Sequence, residues 1–156
     1  MRIETPHRAA HTYTQRLVGT PEAVFPLLCP VREVDWVDGW DPRLVVSASG
    51  VAERDCAFVT GPPENEAVWY ITECEPPRHI EFIKITPAET AARIVIDLRP
   101  GPEGDCLADV TYAHTALTPR GEAFVDDFTP EFYDRFMKGW ERALNHYLET
   151  GTKLAE

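Results

Sequence analysis

The end of the chain constrains the fold most. Phe132, Tyr133, Phe136, Met137, Trp140, Ala143, Leu144, Tyr147 and Leu148 recur at helical spacing, over about five turns. Thr129-Pro130-Glu131 supplies a capping hydroxyl, a proline at the first helical position and an early acid. Gly151 is a C-terminal stop. The opposite face carries Glu131, Asp134, Arg135, Lys138, Glu141 and Arg142. The spacing therefore predicts one long helix that buries a broad aromatic face and needs something large to bury it against.

The preceding chain offers a sheet. Residues 11–18 alternate, with Tyr13, Gln15 and Leu17 on one face and Thr12, Thr14, Arg16 and Val18 on the other. Thr20-Pro21-Glu22 starts a short helix, and a second helical stretch is expected over 31–36, closed by Gly39. Strand runs are expected at 43–48, 54–60, 66–74, 79–86, 91–99 and 106–116, separated by Gly and Pro turns. No helix is expected between these runs, so the strands form an antiparallel meander. A shorter helix over 119–128 leads from the Thr118 cap into the last one. The expected class is α+β: a curved sheet of about seven strands wrapped around the C-terminal helix, in one domain over 1–156 with a loose arm at 1–10.

Charge narrows the partners. A net charge of −11 repels phosphate backbones, so nucleic-acid binding is not expected, and anionic membrane surfaces are disfavoured for the same reason. No apolar run reaches membrane-spanning length, and residues 1–11 lack the apolar centre of a signal peptide, so the expected location is cytoplasmic. Cys29, Cys56, Cys74 and Cys106 form no CxxC pair, so they read as free thiols or small buried hydrophobes. No metal and no cofactor is expected: there is no HExxH, GxSxG, P-loop or dinucleotide fingerprint. A homodimer is left open.

Several local motifs carry a resemblance. They are Cys29-Pro30-Val31-Arg32-Glu33, Asp35-Trp36, Gly39-Trp40, Val68-Trp69, Tyr112 with His114-Thr115-Ala116-Leu117, and Gly139-Trp140 with Leu144-Asn145-His146-Tyr147-Leu148. Together with the element order they resemble the helix-grip superfamily (SRPBCC, START-like and Bet v 1-like), most closely its bacterial polyketide cyclase/dehydrase-like branch. The resemblance implies an internal apolar cavity. It carries no shared catalytic set, because members bind lipids, sterols, hormones or polyketides, and some act as cyclases, dehydratases or chaperone activators.

The candidate site follows from faces. In the last strand Cys106, Ala108, Val110, Tyr112, His114 and Ala116 share the more apolar face, so Tyr112 and His114 should point inward. A buried imidazole can be tuned for proton transfer, although it can equally be a satisfied core histidine. Glu33 lies among Val31, Val34 and Trp36, where apolar walls would raise its pKa; the plain alternative is a solvated acid paired with Arg32. Trp36, Trp40, Trp69, Phe136 and Trp140 are the expected aromatic walls, alongside Tyr112 and His114, or else core filler.

Three functions compete. The first is binding of a hydrophobic, aromatic or lipid-like small molecule. The second is a cofactor-independent cyclase or dehydratase with His114 and either Glu33 or Tyr112 as proton-transfer groups, which requires His114 to face an open volume. The third is a chaperone-activator-like interaction module with a filled interior.

Overall fold

A computed structural model describes residues 1–155, so the last position of the expected domain, Glu156, lies outside the described residues. Strand β1 (Arg8–Leu17) is followed by the short helix α1 (Pro21–Val24) and by 3-10 turns at Phe25–Leu27 and Glu33–Asp35. Six strands follow: β2 (Leu44–Val46), β3 (Ala57–Thr60), β4 (Ala67–Glu75), β5 (His79–Thr86), β6 (Thr90–Pro100) and β7 (Cys106–Ala116). Helix α2 (Pro119–Asp127) leads into α3 (Pro130–Thr150). The sheet order is β1-β7-β6-β5-β4-β3-β2, and every pairing is antiparallel. This is the expected seven-stranded α+β helix-grip architecture.

Alternation builds the inner face. In β6, Thr90, Ala92, Ile94, Ile96 and Leu98 are buried while Arg93 and Asp97 point away. Register then lines up inward residues across the sheet. One row runs Phe58, Trp69, Lys84, Ala92, His114 and Ala9. The neighbouring row runs Ile71, Phe82, Ile94, Tyr112 and His11.

Helix α3 covers this face. Its Thr129 hydroxyl accepts from the Phe132 amide, and Gly151 takes the left-handed conformation (φ 71°) that ends it. Tyr133, Met137 and Leu144 are fully buried, each stabilising by roughly 1.5–3 kcal/mol. The Tyr133 hydroxyl donates to the Val110 carbonyl, and Gln15 Nε2 donates to the Met137 carbonyl at 3.1 Å, tying the helix to β7 and β1. Phe132 and Phe136 are not buried as the stripe implied; they are 44% and 43% exposed. Each precedes a buried residue, so it sits about 100° round the helix, beyond the part the sheet covers.

The strand edges differ from expectation where pairing decides. Arg8, Ala9 and Ala10, expected in a loose arm, pair with Thr115, His114 and Ala113 of β7. Conversely, β2 is confined to the three residues that find partners on β3. All four cysteines are free. Among the described residues no helix is long and apolar enough to cross a membrane.

Candidate functional site

A hollow of about 240 Å³ lies between the sheet and α3. Its floor is aromatic. Phe58 and Trp69 stack at 5.2 Å and 15°, Phe82 meets both edge-on at 6.3 Å, and Trp40 meets Trp69 edge-on at 6.0 Å. These geometries are the offset and T-shaped arrangements that ring quadrupoles favour. Ile94 and Ile96 complete the sheet wall; Val37, Trp140 and Phe136 close the helical side. Phe136 lines the hollow and is also exposed, which places it at the mouth. Larger hollows of about 380 and 350 Å³ are open surface grooves, the first over the outer side of the sheet at Arg8 and Arg93.

The indole N–H groups of Trp69 and Trp40 are held by the protein. Trp69 Nε1 donates to Thr60 Oγ1 at 2.9 Å, and Trp40 Nε1 donates to the Pro30 carbonyl at 2.8 Å. Both rings are therefore fixed in orientation, and only their apolar faces are on offer.

Three polar side chains also line the hollow: Glu33, Lys84 and Tyr112. None has a side-chain hydrogen bond or ion-pair partner among the described residues. Arg32, the neighbour that could have neutralised Glu33, instead binds Asp35 with Nε–Oδ2 at 2.9 Å. Glu33 is thus left in apolar surroundings, and loss of hydration pushes its carboxyl up to about 8. Burial and the nearby Glu33 charge both push the Tyr112 hydroxyl upward, so it stays protonated. Burial pushes Lys84 downward, and its Nζ rests 4.9 Å from the Trp69 ring centroid.

Of the expected site residues, Glu33, Trp40, Trp69, Tyr112, Phe136 and Trp140 converge on one hollow. Trp36 and His114 do not line it. Trp36 is fully buried, donates from Nε1 to the Leu27 carbonyl at 2.9 Å, and backs Trp140 at a ring distance of 5.3 Å. His114 points inward as expected but is sealed behind Phe124 and Phe128, whose rings lie 5.0 and 4.5 Å away edge-on. Its Nδ1 has no partner, and burial holds its pKa down at about 4, so the ring is neutral. The expectation that His114 faces an open volume therefore does not hold, because α2 delivers Phe124 and Phe128 over it.

Lys84, Phe58 and Phe82 are wall residues that the sequence reading missed. Period two held the signal: once Ile80 and Phe82 face inward, Lys84 must as well. Away from the hollow, Glu73, His79 and Glu81 bring ligand atoms within 4.8 Å of one another. The imidazole there is already engaged on both sides, by Asp97 at 2.6 Å and Glu73 at 2.8 Å.

The fold and the hollow together define an α+β helix-grip protein with an internal apolar cavity. No family model matches the chain, and no curated protein matches it. Solved structures do match. The Mll3558 protein from Rhizobium loti is 16% identical, with a TM-score of 0.60 over 92% of this chain and 99% of that one. DynU16, a protein of the dynemicin biosynthetic locus, is 13% identical, with a TM-score of 0.59 over 92% of this chain and 48% of that one. CalU16 from Micromonospora echinospora is 17% identical, with a TM-score of 0.55 over 96% of this chain and 86% of that one. At these identities the likeness establishes the fold.

Proposed function

We propose that the protein binds a planar, apolar small molecule in the hollow between the sheet and α3, as a member of the SRPBCC superfamily. The observation that carries this reading is the pairing of an aromatic wall with polar groups that have no protein partner. Buried polar groups are normally hydrogen-bonded. Glu33 and Tyr112 are half-buried and line the hollow without a protein partner among the described residues, and a ligand oxygen would supply one. The volume lies just below the usual range of about 300–1,000 Å³ for ligand pockets, which selects a small ligand. DynU16, which shares the fold, comes from a biosynthetic locus, and this supports a small-molecule ligand.

A second reading has one observation in its favour. A carboxyl raised to about 8 keeps its proton at neutral pH and can act as a general acid toward a bound molecule. On that reading Glu33 is the acid and Tyr112 the orienting hydrogen-bond partner, with no role in proton transfer for His114. A filled interior, which the interaction-module reading needs, is at odds with the hollow.

The test is native mass spectrometry of the purified protein, alone and with a panel of two- and three-ring aromatic compounds. Stoichiometric adducts that survive mild activation are expected. If no compound is retained and none binds in solution, the reading fails.

A further inference from the structure

The hollow contains an unbalanced charge. Lys84 is the only cation among its lining residues, and no carboxylate lies within ion-pairing distance of it among the described residues. The acid whose charge acts on it, Glu89, is already engaged by Arg120 at 3.3 Å. Glu33, the only acid on the lining, carries its proton at neutral pH. The ring of Trp69, directly opposite on β4, holds the ammonium from one side, but a cation over a ring face gains less than a direct charge-assisted hydrogen bond. Lys84 is half-buried, and a charge drawn partly out of water with no counter-charge is costly and favours a partner of opposite sign.

We propose that Lys84 docks an oxyanion, a carboxylate or phenolate, carried by the planar ligand. This rests on the hollow being a ligand site and narrows the ligand to an amphiphile: a flat apolar body with one acidic group at the Lys84 end. The body lies along Phe58, Trp69 and Trp140. Glu33 and Tyr112 can donate hydrogen bonds to neutral oxygens elsewhere on the molecule. A cationic ligand is disfavoured by the same ammonium.

Calorimetric titration of the full chain with naphthoate and with its uncharged isostere naphthamide tests this near neutral pH. The expected result is that naphthoate binds at least about tenfold more tightly. Lys84→Met should bring the ratio of naphthoate to naphthamide affinity down toward one, while Lys84→Arg keeps part of the preference. Thermal melts check that both variants are folded, and Lys84→Gln serves if Lys84→Met is not. Equal binding of the two compounds to the wild type, or a preference that survives in the folded variant, overturns the proposal while leaving the binding reading intact. Failure of both compounds to bind overturns both.

Discussion

The rings of Phe58 and Trp69 stack at 5.2 Å with an interplanar angle of 15°. Adjacent strands β3 and β4 place them directly opposite each other, so the sheet's own pairing builds a flat platform. Trp69→Leu keeps the apolar character but removes the plane. Binding of a flat aromatic probe should weaken about tenfold, because an aromatic pair contributes roughly 0.5–1.5 kcal/mol beyond its area. Calorimetry on the folded variant measures this, and unchanged affinity would mean the platform is not the contact surface.

Glu33 makes stability depend on pH. Its folded pKa, about 8, lies above the ordinary 4.5, so between these values the folded state binds more protons than the unfolded state. Stability therefore falls as pH rises through that window. His79, held between Asp97 and Glu73, also has a raised pKa; its contribution is present below the ordinary imidazole value and is lost as pH rises through the folded one. Glu33→Gln should leave stability at acidic pH nearly unchanged and raise it by about 1–3 kcal/mol above pH ~8, leaving the slopes that His79 and His114 impose. Denaturant melts across pH supply the measurement, and identical slopes in the two proteins would contradict the placement of Glu33.

His114 acts on the other limb. Its pKa is about 4 in the folded protein against an ordinary 6.5, so over this interval the unfolded state binds more protons. Stability is fully present above the ordinary value and is lost as pH falls toward 4. The loss should reach about 2–3 kcal/mol, and His114→Leu should flatten that limb. If the variant instead loses ligand binding at neutral pH with its stability intact, His114 reaches the ligand after all.

Gly121 marks where α2 seats on the turn between β5 and β6. A Cβ there would lie 1.8 Å from the Glu89 carbonyl oxygen, which is backbone and cannot swing aside. Gly121→Ala should cost about 1–3 kcal/mol or more by overpacking, with Phe124 and Phe128 displaced from His114. A thermal melt indistinguishable from wild type would show that α2 can lift without cost.

Much of this architecture was legible in the sequence because local rules and burial agree. The limits of β5 and β7 follow from alternation alone, and the caps of α3 from Thr129, Pro130 and Gly151. Strand ends were less legible, because the length of β1 and β2 depends on how far β7 and β3 offer partners. The site was partly legible. Tyr112 and Trp69 declare themselves by face, and Glu33 by its apolar neighbours. The sealing of His114 depends on where α2 places Phe124 and Phe128, a packing result with no trace in the pattern of β7. Trp36 and Trp40 look alike in sequence on either side of Gly39, yet the first is core and the second is wall.

Those four indoles allow the most direct test of the cavity. Trp40, Trp69 and Trp140 line the hollow, whereas Trp36 is buried behind Trp140 with its N–H held by Leu27. Heteronuclear NMR of the indole N–H signals during titration with naphthoate reads all four at once. The expected result is saturable movement of the Trp40 and Trp69 signals, a smaller shift for Trp140, and the least change for Trp36. Saturation with the Trp40 and Trp69 signals unmoved would place the ligand elsewhere and contradict the cavity as the binding site.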